Sequence, residues 1–216
     1  MNQCMTSFPG SPRLIKGALI SYEPAGLIPQ VVIFQYNPET LTRTLKAQRS
    51  GESSMEKKLT GPPIEDITLK IEIDAADQLE KPGENASTVL LGINPQLAAL
   101  EMMLYPKSMT VIANTALAQA GTIEVTSDEP FTLFVWGPSR VLPVRITSFS
   151  ITEQQYDPIL NPIAAEVSLT LEVLTYEDFK TTHIGFALFL AHQIVKETFA
   201  AIGSVSNVAS VVGGAL

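Results

Sequence analysis

Almost none of the side chains that carry out chemistry occur in this sequence. It holds one cysteine and two histidines in 216 residues. A single thiol, Cys4, excludes an internal disulfide framework. The histidines, His183 and His192, fall in a segment that reads as helix. Their spacing puts them half a turn out of phase, so they cannot share a metal ion, and no cysteine or carboxylate motif supports either one. Both read as surface residues. There is no Gly-x-Ser-x-Gly elbow, no Gly-x-Gly-x-x-Gly turn and no Walker-type phosphate loop. The carboxylate pairs Glu65-Asp66 and Glu177-Asp178 are adjacent in sequence, so on a strand their members point to opposite faces and do not form an acid/base couple. The lone tryptophan, Trp136, ends an apolar strand beside Gly137 and reads as a core or rim aromatic rather than a ligand platform. The expectation is a non-enzyme with no catalytic residue, no cofactor and no metal.

Charge is scarce too. Charged residues make up 17% of the chain against 45% hydrophobic, and mean hydropathy is +0.20. A chain of this length buries roughly 70% of its unfolded surface, so a true core is available. The remaining apolar excess points to further burial in an assembly. The net charge of −8 excludes a nucleic-acid partner, which needs a basic face, and disfavours an anionic membrane surface. The start, MNQCMTSFPGSPR, has neither a basic n-region nor an apolar h-region, so no secretory signal is expected and the chain is assigned to the cytoplasm.

What is present is β-structure. Residues 67–74, ITLKIEID, alternate without a fault: Ile67, Leu69, Ile71 and Ile73 on one side, Thr68, Lys70, Glu72 and Asp74 on the other. Residues 164–174 do the same, with Val167, Leu169, Leu171 and Val173 on the apolar side. Strands are also expected in 13–23, 30–36, 40–49, 131–137 and 141–154. The last of these changes parity between Ile146 and Phe149, which predicts a β-bulge near Ser148. Asn37-Pro38 is a corner between two strands: proline cannot donate to a ladder, and the asparagine amide can bond nearby backbone. In the strand that follows, Leu41, Arg43 and Leu45 share one side.

Residues 88–105 read as one Leu-rich helix. Residues 51–66 read as a polar loop and 106–130 as a hairpin or a loop ordered on assembly. Residues 178–203 read as a strongly apolar helix, followed by an uncharged, weakly structured end. Asn-Pro recurs at 37–38, 94–95 and 161–162 without a convincing internal repeat.

Two stretches are distinctive in combination. They are FQYNPETLTRT, containing Asn37, Pro38 and Glu39, and the series from Trp136-Gly137 through Asp157-Pro158 and Asn161-Pro162 into the alternating strand. With the Leu-rich helix between them, they resemble the tube-type baseplate proteins of contractile injection systems, which are phage-tail-like particles. The resemblance covers about Arg13 to Tyr176. It implies a mainly β (α+β) fold: a tail-tube-like β-barrel with one packed helix, spanning 12–177, between a flexible start at 1–11 and an apolar helical tail at 178–216.

It also implies a structural role within such a particle. Six copies would form a ring that initiates the inner tube and joins it to the spike trimer, the inner-tube ring and other baseplate subunits. The Asn37-Pro38 corner would orient a hairpin between neighbouring copies, and the polar sides of 67–74 and 165–173 would line the channel. Many relatives carry a peptidoglycan-binding-like module after the tube domain, and nothing after Tyr176 looks like one. The tail offers instead a docking helix bearing Ile184, Phe186, Leu188, Phe189, Leu190, Val195, Phe199 and Ile202. Its unbroken apolar part is too short for a membrane span, which takes about 20 residues. Two alternatives stand beside this reading: the repeating inner-tube protein itself, and a monomeric β-barrel binding a small apolar ligand.

Overall fold

The computed structural model describes residues 14–22, 29–49, 59–119 and 129–213. Its strands are β1 (Ala18–Tyr22), β2 (Gln30–Ile33), β3 (Leu41–Lys46), β4 (Ile64–Asp74), β5 (Phe131–Val135), β6 (Val141–Tyr156) and β7 (Pro162–Val173). They form one antiparallel seven-stranded sheet in the order β2-β1-β5-β6-β7-β4-β3. Helices α1 (Ala76–Leu79), α2 (Ala86–Leu91), α3 (Asn94–Glu101), α4 (Ser108–Gln119) and α5 (Ile184–Gly213) complete the described chain. The fold is mainly β with a minority of helix, the class expected. The start at 1–11 with Cys4, the stretch Pro24–Gly26, the loop residues 51–58 and the strand-prone Ile123-Glu124-Val125 lie outside the described residues.

The alternation seen in sequence is the alternation of the structure. Ile67, Leu69, Ile71 and Ile73 of β4 and Val167, Leu169, Leu171 and Val173 of β7 are all buried. Leu69 stands opposite Leu169, and Leu169 opposite Phe149 of β6. The register between β6 and β7 shifts between Ile146 and Ser148. Thr147 is the extra residue, and its hydroxyl donates to the Thr170 carbonyl at 3.1 Å. One inserted residue swaps the parity of β6, so Val144 and Ile146 before it and Phe149 and Ile151 after it all face the same core.

The sheet curls around that core. Leu19 of β1 and Phe34 just beyond β2 share one buried cluster with Ile67 to Ile73, although β5, β6 and β7 separate β1 from β4 in the sheet. Among the described residues the barrel is not closed by a backbone ladder, because β2 and β3 end the strand order without pairing to each other. β3 covers β4 only from Ile64 to Leu69. Beyond that point the amide of Gln35 takes the part of a strand: its Nε2 donates to the Asp74 carbonyl at 2.6 Å, and its Oε1 accepts from the Asp74 N–H at 3.0 Å.

Three helical expectations change. The helix expected over 88–105 is two helices, α2 and α3, broken at Gly92, whose φ is +58°. Pro95 then starts α3, where its missing N–H costs nothing. Residues 108–119, expected as hairpin or loop, are α4. The β-prone pair Val111-Ile112 is outvoted by the Ala, Leu, Met and Gln around it, which are good helix formers. The end expected to be weakly structured is helical to Gly213. No proline and no charged residue interrupts 198–213, and propagating a helix costs far less than starting one. Among the described residues, no helix is long and apolar enough to cross a membrane.

Candidate functional site

All three Asn-Pro corners turn out to be fasteners. The Asn37 side chain accepts the Gly17 N–H at 2.9 Å and donates to the Ile15 carbonyl at 2.9 Å. It thereby ties the corner to the approach of β1, and two such bonds stabilise the junction by about 1 kcal/mol each. Gly17 is also where the second distinctive stretch arrives. A Cβ there would lie 2.7 Å from the Phe34 ring and 2.8 Å from Trp136. Trp136 stacks on Phe134 at 5.8 Å, and its N–H donates to the Arg140 carbonyl at 2.8 Å. Gly137 has φ +77° with open space around it, so it serves the turn rather than a close approach. Asn37 and Trp136, a hundred residues apart in sequence, therefore meet at one glycine. Pro38 is half-buried and Glu39 exposed.

The second fastener is double. Asp157 accepts the N–H groups of Ile159 and Asn161 at 2.8 Å each, and the Asn161 amide at 2.9 Å. Although partial desolvation opposes it, this set of donors holds the Asp157 carboxyl below its ordinary pKa. Pro158 sits within this turn, which supports Leu160 at φ +68°. Asn161 then reaches α2, donating to the Leu90 carbonyl at 3.1 Å, and Asn94 donates to Asn161 at 3.4 Å. The Pro162 carbonyl accepts the Ile93 N–H at 2.9 Å. A Cβ on Gly92 would collide with that carbonyl, so Gly92 is fixed by both space and backbone angle. Gly92→Ala should destabilise the fold by roughly 3 kcal/mol, the sum of a strained φ and a forced shift of packed backbone. In a thermal melt this lowers the midpoint by about 10 °C. Gly83→Ala, where an added Cβ meets nothing, is the control expected to stay within 1–2 °C, roughly a 0.5 kcal/mol surface effect. An equal fall in both would remove the Gly92 carbonyl contact as the cause.

The docking helix divides in two. Phe189 is buried in the common core and meets Tyr176 at 5.8 Å; Phe186 also packs on Tyr176, at 6.5 Å. Leu188, Leu190 and Val195 are half-buried. Ile184 is exposed at the start, and Phe199 and Ile202 are exposed at 59% and 62% toward the end. Up to about Lys196 the helix packs on its own barrel, and residues 197–202 are all exposed.

The two histidines differ. His183 is exposed and stacks on Phe179 at 4.8 Å, its Nδ1 accepting the Gly185 N–H at 3.0 Å. His192, expected on the surface, is 8% exposed. The apolar side of α5 is wide enough to carry it under the β5–β6 turn, where its Nδ1 meets the Ser139 carbonyl at 3.2 Å. Burial and the nearby Lys196 hold its pKa below the ordinary histidine value.

A charged group was missed as well. Glu65 lies on the core-facing parity of β4, its side chain 4% exposed, and is clamped by Arg43 of β3 at 2.5 Å and Lys196 of α5 at 3.2 Å. Burial opposes the charge, but the two cations prevail and hold its carboxyl below the ordinary range. In sequence Glu65 reads as part of a polar loop ending at 66, whereas β4 starts at Ile64, so Glu65 joins Arg43 on the apolar parity of adjacent strands, where a charge requires a partner. Among the described residues, no three His, Cys, Asp or Glu side chains come together to hold a metal.

No family model matches the sequence, and no curated protein matches it. Among solved structures, the chain is similar to one in the cryo-EM structure of the anti-feeding prophage baseplate, six-fold symmetrised. The two are 12% identical, with 77% of this chain and 94% of that chain covered and a TM-score of 0.28. With a TM-score that low and so few identities, the likeness decides neither fold nor role.

Proposed function

We propose that this chain is a structural subunit of a phage-tail-like contractile injection particle. Six copies form a ring that initiates the inner tube and joins it to the spike and baseplate. The observation that supports this best is the division of its surface. Across the three central strands, the outward side carries Asp66, Thr68, Lys70 and Glu72, then Glu166, Ser168, Thr170 and Glu172, then Ser148, Ser150 and Thr152. No apolar side chain interrupts this patch, which suits the wall of a water-filled channel. Exposed large apolar residues lie elsewhere: Val31 and Ile33 on β2, Leu90 and Leu91 on α2, Met109 and Ile112 on α4, Phe199 and Ile202 on α5. Surface of that kind suits burial against other subunits.

The two ends of the sheet differ. β2 ends one side and β3 the other, so contact between copies runs head to tail, and a head-to-tail contact that closes makes a ring. Closure also removes two edges that invite aggregation. The β6–β7 turn projects Ile159 and Leu160, the latter 78% exposed and held at a backbone angle that leucine disfavours by about 1–2 kcal/mol. Keeping a strained leucine at an exposed tip suits an axial contact with the spike or the next ring. Imaging the tip of purified particles with this chain labelled should place it in a sixfold ring, once per particle. Many stacked rings would make it the repeating inner-tube protein, and a fivefold or asymmetric position would overturn the reading.

A further inference from the structure

Around Glu65 the positive charge is in excess. Arg43 and Lys196 already bond its two oxygens. A third cation, Arg140, stands half-buried before β6, close enough to feel both Arg43 and Glu65. It has no carboxylate within salt-bridge distance among the described residues. His192 faces the same space from α5, with Lys196, Glu65 and Arg140 as its charged neighbours. Its Nε2 is buried and has no hydrogen-bond partner among the described residues. Two cations thus bond one carboxylate, with a third cation and an imidazole nearby, in a chain with 22 acidic and 14 basic residues. A buried nitrogen without a partner among the described residues calls for an explanation, and an incoming anion that also meets Arg140 supplies one.

We propose that Arg140, Lys196 and His192 form the receptor for a second carboxylate, an Asp or Glu side chain from a neighbouring copy of this chain. Lys196, 38% exposed, and the half-buried Arg140 are reached from solvent and meet it first, and the buried Nε2 of His192 is the last contact to form. Arg43 lies on β3, the free edge of the sheet, so a copy pairing along that edge arrives beside the cluster; this source rests on the ring reading above. Binding carries a proton. In the empty site burial and Lys196 favour the neutral imidazole, whose Nδ1–H then donates to the Ser139 carbonyl and whose Nε2 is an acceptor that a carboxylate cannot use. When a carboxylate enters, its charge favours imidazolium, and Nε2 takes a proton from solvent and donates to the new oxygen. The carboxylate is therefore held more tightly at pH 6 than at pH 8.

The test uses the full chain and glutarate as a free carboxylate, at ionic strength matched with sodium chloride. Trp136, the only tryptophan, bonds the Arg140 backbone and reports the turn by fluorescence. At ten times its dissociation constant, glutarate should raise the thermal midpoint by about 2–4 °C. The response should be several-fold more sensitive to glutarate at pH 6 than at pH 8, and absent in Arg140→Gln and in Lys196→Gln. The first variant relieves cation repulsion and should fold as well as the parent by circular dichroism; the comparison of pH 6 with pH 8 in the parent, which needs no variant, guards against its failing to do so. An undiminished response in both variants, or the same sensitivity at both pH values, overturns the receptor. The source is tested separately in the assembled ring. A map with a carboxylate of another copy at Arg140 supports it, and a ring with none there overturns the source while leaving the ring intact. Absence of any ring overturns the ring reading and the source together, whereas the glutarate response decides the receptor without either.

Discussion

Leu169→Asp should abolish the folded protein, and Thr170→Asp, one position along the same strand, should leave it standing. Leu169 is fully buried between Leu69 of β4 and Phe149 of β6, at the centre of the sheet. Removing its side chain alone costs about 2–5 kcal/mol. A carboxyl in its place meets only apolar neighbours, and an unpaired buried charge adds roughly 3–5 kcal/mol even after the group protonates or the structure relaxes. The sum approaches or exceeds the 5–15 kcal/mol, roughly, that holds a whole domain folded. Thr170 points the other way, opposite Thr68 and Ser148, with Lys70 diagonally across. An aspartate at this half-buried outward position keeps contact with water, with Lys70 on one diagonal and Asp66 on the other, and its cost should stay within about 1 kcal/mol. Soluble yield and circular dichroism of the two variants decide it. If Thr170→Asp proves the more damaging, the polar side is the buried one and the channel wall proposed above is lost.

The same two positions show why so much of this fold was legible. A strand's side chains alternate with a period of two, and β4 and β7 keep that period without a break, so parity alone sorts core from surface. The bulge was legible because parity failed within β6 at a place where both halves remained apolar. Less could be read where structure depends on contacts distant in sequence. Gly92 looks like an ordinary glycine inside a helical pattern until the Pro162 carbonyl, seventy residues on, is seen to occupy its Cβ position. Gln35 gives no sign in sequence that its amide stands in for a strand against Asp74. α4 failed for a different reason: all its side chains are exposed or half-buried, so no apolar stripe was there to reveal a period. Arg43 was legible as a charge on the apolar parity of its strand, but its partner was hidden, because Glu65 lies in the part of 51–66 that reads as polar loop and is strand in the structure.

The tail gives the other large effect. Deleting 198–216 should leave a folded chain, whereas deleting 184–216 should not. The longer deletion removes Phe189 from the common core, uncovers Tyr176, and takes Lys196 from a carboxylate that is 4% exposed. Loss of a buried phenylalanine costs about 3–5 kcal/mol by itself. Glu65 is then left with Arg43 as its remaining partner, and Gly185, packed on the Phe179 ring, is lost as well. A chain so cut should unfold below 37 °C, having lost about 5 kcal/mol or more of the roughly 5–15 available. The shorter deletion starts beyond Lys196 and removes Phe199 and Ile202, both exposed, so the thermal midpoint should move by no more than 2–3 °C, about 1 kcal/mol. Its effect should fall on assembly instead. Residues 198–213 continue α5 as an uncharged helix, and its exposed Phe199 and Ile202, if buried on a neighbour, contribute roughly 1.5–3 kcal/mol each before ordering costs. Particles built with the shorter deletion should lack this subunit at the baseplate while the purified protein stays soluble and folded. Normal incorporation would place the clamp elsewhere, with the β6–β7 tip at Ile159 and Leu160 the next surface to change. Unfolding on the shorter deletion would instead make the whole of α5 part of the barrel's core.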